Sequence, residues 1–315
     1  AVSICGTDSH LIAGDYPGFW PPEFPIIPGH EWSGEIVKLG PGAEKAGWKI
    51  GDRVAGTSHD ACGVCQQCVE GRYNLCENYG VMDLHRQYGH NYTGADAEYV
   101  VHGVKCIFPL PESVSWEEGA VIDPASIALH VARRGRITPG DDVVVMGAGP
   151  VGLLSGDAAL AMGAGHVIVI GRGPRLEKAR AMGFIGIDSN AVDVVQAVRD
   201  LTDGRGADVV IEAAGTPTTL TWSLAALRKG GRIAAVGIPS EGVTIDMREL
   251  VLYELEIAGS RASQGEMRRV LPLIADGRMR LAEIMTHEFR LADFADALAA
   301  FRDRSSGAIK ITIKP

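Results

Sequence analysis

Four of the six cysteines of this 315-residue chain lie within fifteen positions: Cys62, Cys65, Cys68 and Cys76, spaced C-x2-C-x2-C-x7-C in a loop that also carries Gly63 and Gly71. Two-residue spacers let successive thiolates turn toward one centre, and the longer spacer brings the chain back to close a tetrahedron around Zn(II). Such a site is closed and structural, with no position left for chemistry. Disulfides fit poorly, because cysteines this close cannot all reach bridge geometry. A CxxC redox pair leaves two thiols unexplained. A different set stands upstream, where "SICGTDSH" and "IPGHEWSG" place Cys5, His30 and Glu31 on loops at strand ends. These are soft and borderline ligands, too few to fill a tetrahedron, as an open catalytic zinc requires. Singly, each also fits an ordinary role, a hydrogen-bonded His or a core Cys. Cys106 belongs to neither set and reads as a small buried apolar residue.

A third motif is built for an anion. "DDVVVMGAGPVGLLSGDAALAMGAGHVIVIG" reads as a buried strand, a turn through Gly147, Gly149, Pro150, Val151 and Gly152, a helix to about Gly163, and a second strand. A lone GxGxxG is weak, but this one follows a strand and opens a helix within a strand–helix–strand unit of about thirty residues. The first two glycines let backbone N–H groups approach a pyrophosphate at the positive helix end, and the third lets helix and strand pack closely. The second strand ends at Gly171, followed by Arg172 and Arg175, with no carboxylate between Asp157 and Glu177. An NAD site usually carries Asp or Glu here for the ribose 2′-OH. Its absence and the two guanidiniums lean toward NADP, against the alternative of NAD held through backbone with both arginines in solvent.

The order of these motifs, Cys-Gly-Thr-Asp, then Gly-His-Glu-x-x-Gly, then the four-cysteine loop, then the Gly-rich turn, resembles the zinc-dependent medium-chain dehydrogenase/reductase family (alcohol dehydrogenase superfamily). Within it the likeness is to the sorbitol, polyol and threonine dehydrogenase branch, over essentially all 315 residues. The resemblance implies an α/β chain: a β-rich GroES-like catalytic domain (1–124 and 262–315) and a doubly wound Rossmann domain (125–261), with the active cleft between them. It implies that Cys5 and His30 ligate the catalytic zinc, with Glu31 a ligand or a close carboxylate. The further ligand falls on Asp123 in "IDPASIALH", directly or through water. It implies two zinc ions per chain, NAD or NADP, a small alcohol or polyol substrate, and a homo-oligomer, dimer or tetramer. The implied reaction is hydride transfer between nicotinamide C4 and a secondary alcohol. A free alcohol deprotonates near pKa 16, and zinc brings bound water to about 7, worth roughly 12 kcal/mol. For the proton, "CGTDSH" offers Thr7 as acceptor and His10 as the carrier to solvent; otherwise both are loop residues bonding their own backbone. The sequence opens on "AVSICGTD", where the family pattern has one or two earlier strands. The zinc-free reductase branch lacks both the cysteine loop and GHE. A reading from another class is a non-catalytic zinc- and nucleotide-binding redox sensor.

These motifs need elements to hold them. Residues 1 to about 110 read as short strands broken by Gly and Pro, a barrel-like β-rich region. "LPESVSWEEGAVIDPASIALHVARRG" reads as a helical connector with Ser115 as N-cap and Glu117 and Glu118 in the first turn. Strand-like runs at 183–188, 207–215, 230–237 and 255–260 alternate with amphipathic helices, which predicts a parallel sheet covered on both faces. After Ser260 come a helix in "GEMRRVLPLIADGRM", a strand "IMTHEFR", a helix "ADFADALAAFRD" and a final strand "AIKITIK". In the loop 80–99, His85, Arg86, His90, Asn91 and Tyr92 either bond substrate hydroxyls or a carboxylate, or cover a subunit interface.

Bulk properties narrow the classes further. Net charge is −9, with no Lys/Arg run to make the basic stripe that nucleic acid requires. No apolar run approaches about 18 residues and no basic-then-apolar leader opens the sequence, so the expectation is a cytoplasmic protein with no membrane partner. The length suffices for two cores without covalent staples.

Overall fold

Two kinds of apolar run give two kinds of sheet in the computed structural model, which describes residues 1–15, 20 and 24–315. In the first 110 residues the runs are brief, and the strands are correspondingly short: β1 (Val2–Ser3), β2 (Ser33–Glu35), β3 (Arg53–Gly56), β4 (His59–Asp60), β5 (Arg86–Gln87) and β6 (Ile107–Pro109). Between them stand α1 (Gly6–Ala13) and the single turn α2 (Gln66–Val69). The connector forms two helices, α3 (Trp116–Ala120) and α4 (Ile122–Arg134). Ser115 caps α3 by accepting from the Glu118 N–H, while Glu118 reaches back to the Ser115 N–H at 3.0 Å. Pro124 lacks a donor and is tolerated only in a first turn, which explains why a second helix begins near it.

The longer apolar runs build the parallel sheet, its central strands buried on both faces and its outer strands partly exposed: β7 (Asp142–Met146), β8 (His166–Gly171), β9 (Ile185–Asp188), β10 (Ala207–Glu212), β11 (Leu227–Ala235) and β12 (Glu256–Gly259). The helices of these crossovers are α5 (Pro150–Ala161), α6 (Gly173–Ala181), α7 (Val194–Leu201), α8 (Pro217–Ala226) and α9 (Met247–Leu252). Spatial order is β12-β11-β10-β7-β8-β9, the doubly wound order that reverses beside its first strand. Val144, Met146, Ile168, Ile170, Val210 and Ile233 form the core of this sheet, each at most 2% exposed.

The tail carries α10 (Met267–Ala275), α11 (Leu281–Ile284), β13 (Met285–Arg290), α12 (Phe294–Arg302) and β14 (Lys310–Lys314). β14 pairs with β1, Val2 facing Ile313, and with β13 on its other side. Val2, Ile4, Trp32, Val54, Leu298, Ile311 and Ile313 share one core, so both ends of the sequence fix the ground on which Cys5 and His30 stand. β2-β3-β6 and β4-β5 complete the small sheets.

The chain divides into two compact units, one of residues 1–126, 263–275 and 285–315, the other of 127–262 and 276–284. The family pattern would keep all of 262–315 with the first. Residues 276–284 instead pack with the second because Arg280 donates to Asp157, a carboxylate 1% exposed on α5, through its backbone N–H at 2.8 Å and Nη2 at 2.5 Å. Among the described residues no helix is long and apolar enough to cross a membrane.

Candidate functional site

"CGTDSH" folds as the start of α1 rather than as a loop. Cys5 is extended at the N-cap, and Asp8 three residues on accepts its backbone N–H at 2.7 Å. Gly14, at φ 74°, closes the other end by donating to the Leu11 and His10 carbonyls. This turn sets the Cys5 sulfur 3.7 Å from Thr7 Oγ1. His10, one turn beyond Thr7 on the same helix face, is exposed and holds Asp15 at 2.7 Å through Nδ1.

The second oxygen of Asp8 lies 3.4 Å from His30 Nδ1. Cys5, His30 and Glu31 therefore gather, with one ligand atom of each within 4.8 Å of the others. Glu31 accepts from Ser3 Oγ and is ion-paired with Lys310, whose Nζ also donates to the Ile4 carbonyl at 3.0 Å. All of this is buried: Asp8 0%, Glu31 2%, Lys310 2% and His30 5% exposed. Burial disfavours the Asp8 carboxylate, but the neighbouring His30 and the Cys5 N–H hold its pKa below the usual range. Burial likewise disfavours a charged His30, yet Asp8 and Cys5 carry its pKa well above the ordinary value.

The donors fit zinc: a sulfur, an imidazole nitrogen and a carboxylate oxygen converge, and His30 Nδ1 and Asp8 Oδ1 are buried with no hydrogen bond of good geometry. A carboxylate behind a ligating histidine is the usual device for orienting the ring. Asp123 is not in the cluster; its side chain bonds Thr57, and burial, followed by the Glu31 charge, pushes its pKa up to about 7 against the pull of His30 and Lys310. The Thr57 bond engages its carboxyl, while the His30 and Glu31 charges still act on it.

The four-cysteine loop is a closed cage. Cys62, Cys65, Cys68 and Cys76 place their sulfurs within 4.8 Å of one another, and none is in a disulfide. Cys62 accepts from the N–H groups of Val64 at 3.4 Å and Cys65 at 3.3 Å and from Asn78 Nδ2 at 3.3 Å. These bonds, Val64 first, lower its pKa to about 6, which favours the thiolate that binds metal. Cys106 is fully buried and donates to the His59 carbonyl.

In the other unit, β7 ends at Met146 and Gly147 turns the chain at φ 109°. Gly149 caps α5, Pro150 fills its first position, and a side chain at Gly149 would meet open space. A side chain at Gly152 would strike the Gly147 carbonyl. Val151 and Gly152 lie in the first turn, whose N–H groups suit a pyrophosphate. Gly171 ends β8, where a Cβ would come 2.7 Å from the Ala148 Cβ. That close pass leaves no room for the carboxylate common at this place. Arg172 follows as the exposed N-cap of α6, and Arg175 is half-buried in its first turn.

Of the loop 80–99, only part reaches the metal cluster. The His90 ring lies 4.4 Å from that of His30, and its Nδ1 faces the Tyr88 carbonyl at 3.2 Å. His85 is fully buried against His59 at 3.3 Å, Asn91 accepts the Gln87 N–H, and Arg86 stacks on Tyr92. Sequence reasoning did not single out Asp8, Lys310 or Asp96. The spacing of Asp8 from an N-cap and the cation inside "AIKITIK" were available signals; for Asp96 there was none.

Family models match at both ends of this arrangement: an alcohol dehydrogenase GroES-like domain over residues 1–112 and a zinc-binding dehydrogenase domain over 150–276. Sorbitol dehydrogenase of Bacillus subtilis (strain 168) is 34% identical over 318 residues, covering 100% of this chain and 88% of that one. L-threonine 3-dehydrogenase of Idiomarina loihiensis is 34% identical over 313 residues, covering 98% and 89%. A zinc-binding dehydrogenase fold from Sinorhizobium meliloti 1021, solved with NADP bound, superposes with a TM-score of 0.91 at 30% identity, covering 100% of this chain and 90% of that one. With the thiolate–imidazole cluster, the cysteine cage and the glycine turn in place, the chain belongs to the zinc-dependent alcohol dehydrogenase family.

Proposed function

We propose that this zinc-dependent, NAD(P)-linked dehydrogenase oxidises the secondary alcohol of a polyol, cyclitol, sugar acid or hydroxy amino acid, reversibly. The observation that carries the reading is the Cys5–His30–Glu31 set, half-buried at Cys5 and buried at the other two, with Thr7 3.7 Å from its sulfur. When bound, the metal supplies the Lewis acidity that makes an alcohol proton labile near neutral pH, and the nicotinamide supplies the hydride acceptor.

The chain's own groups do the rest. Cys5 and His30 hold the metal, Asp8 fixes the His30 ring, and Glu31 with Lys310 sets the charge behind it. The Thr7 hydroxyl accepts the alcohol proton as it releases its own toward His10, which, with Asp15 on its Nδ1, passes a proton to water. Backbone N–H groups of the Gly147–Gly152 turn receive the pyrophosphate. Arg172 and Arg175 favour a 2′-phosphate, in a place where Gly171 leaves no room for a competing carboxylate. Val251 and Leu252 on α9 and Ile257 on the outer strand β12 are 67%, 68% and 38% exposed, which supports assembly as a homo-oligomer.

The test is metal analysis together with a substrate screen against NADP and NAD. Two zinc ions per chain, one lost to chelator together with turnover, support the reading. One tightly held zinc and no turnover on any polyol, cyclitol, sugar acid or threonine overturns it.

A further inference from the structure

The segment 89–96 is sewn onto the residues that precede His30. Gly94 N donates to the Ile27 carbonyl at 2.7 Å, Ala95 N to that of Gly29 at 2.9 Å, and Asp96 N to that of Pro28 at 3.1 Å. The approach leaves no space for side chains: a Cβ at Gly89 or Gly94 would strike the Gly29 carbonyl, and one at Gly29, itself at φ 90°, would strike the Asp96 carboxyl. Asp96 is thereby pressed against the residue next to the zinc-holding His30, where burial, with the charges of Asp8 and Glu31, pushes its pKa well up against the opposing charge of His30. Although part of the residue reaches solvent, both carboxyl oxygens are shielded from it and have no hydrogen-bond partner among the described residues. Buried acceptors of this kind are rarely left unmet, and a functional site is where they persist.

Resting on the function proposed above, we infer that Asp96 recognises a hydroxyl on the carbon next to the reacting carbinol, making a vicinal diol the preferred substrate unit. A buried carboxyl that meets no described partner suits a hydroxyl, which can both donate and accept. A neutral hydroxyl is favoured over an ammonium because the adjoining Cys5–His30–Glu31 set is built for a dication, which would repel a second positive charge. His90, 4.4 Å from His30 on the same segment, ties the placement of Asp96 to that of the metal cluster.

The test uses the zinc-loaded enzyme with 2,3-butanediol and 2-butanol as probes, comparing the ratio of their kcat/KM values in wild type, Asp96→Leu and Asp96→Asn. A hydrogen bond to the buried Asp96 carboxyl predicts that Asp96→Leu lowers the diol-to-monool ratio by roughly 3- to 10-fold, with Asp96→Asn between it and wild type. Zinc content stays at two per chain in both variants. The inference is overturned if the ratio is unchanged in both variants, if a variant holds one zinc instead of two, or if 3-amino-2-butanol loses more than the diol. Should Asp96→Leu fail to fold, Asp96→Asn alone decides by the same ratio. A wild type that oxidises none of these alcohols refutes the proposed function itself; one that oxidises 2-butanol as well as the diol refutes only the role of Asp96.

Discussion

Replacing Lys310 by Met removes the cation that neutralises Glu31. Both side chains are essentially sealed from water, 2% and 3% exposed, and Ser3 Oγ would remain as the partner of the carboxylate. Stranding one member of a buried pair costs about 3–5 kcal/mol, whereas replacing both members by uncharged groups costs much less. At an unfolding entropy of about 2.1 cal/mol/K per residue, that lowers the melting temperature by roughly 5–8 °C if the chain melts as one, and by more if the first unit melts alone. Calorimetry of wild type, Lys310→Met, Glu31→Gln and the double variant, all zinc-loaded, gives a complete cycle. The double variant is expected to recover at least about 2 kcal/mol of the sum of the single losses. Additive losses would refute the claim that Lys310 neutralises Glu31.

Cys62→Ser or Cys76→Ser should lower zinc from two ions per chain to one and destabilise the fold; retention of both ions speaks against the cage. Arg172→Ala with Arg175→Ala should reduce kcat/KM for NADP by roughly 10- to 100-fold more than for NAD, and an equal effect on both would remove these residues from cofactor choice. His102 stacks 3.8 Å from Tyr88 and edge-on to Trp32, and burial lowers its pKa to about 4 against the opposing charge of Asp60. The unfolded chain takes up that proton near pH 6.5, so stability is full above 6.5 and falls by up to about 3 kcal/mol as pH drops toward 4. His102→Phe should flatten that slope in urea titrations, and an unchanged slope would refute it. His10→Ala should slow alcohol oxidation and be partly rescued by imidazole buffer; an unaltered pH profile removes His10 from the proton path.

What the sequence made legible was local. The strand before Gly147, the close-packed glycines and the four thiols announce themselves because their meaning lies in spacing over a few residues. The parallel sheet is equally plain, since runs such as "DVVVM" and "DVVIE" are apolar on both faces. Local ambiguity produced the near misses. "CGTDSH" lacks an apolar stripe and reads as loop, yet Asp8 and Gly14 cap it into a helix. The strand expected from Gly230 starts earlier, at Leu227, which pairs with Ala207 of β10. Contacts across long separations were hidden. Nothing near Glu31 announces Lys310, nothing near Gly29 announces Asp96, and no spacing rule says that Thr57 takes the carboxyl of Asp123.

The bond from Lys310 to the Ile4 carbonyl spans 306 positions, whereas the cysteine cage closes within fifteen. On a ribosome adding about 5–20 residues per second, the cage is complete within a few seconds, but Glu31 waits roughly 15–60 seconds for its countercharge. All four cage thiols thus exist well before Lys310 does, so the cage can close on the nascent chain while Glu31 still lacks its countercharge.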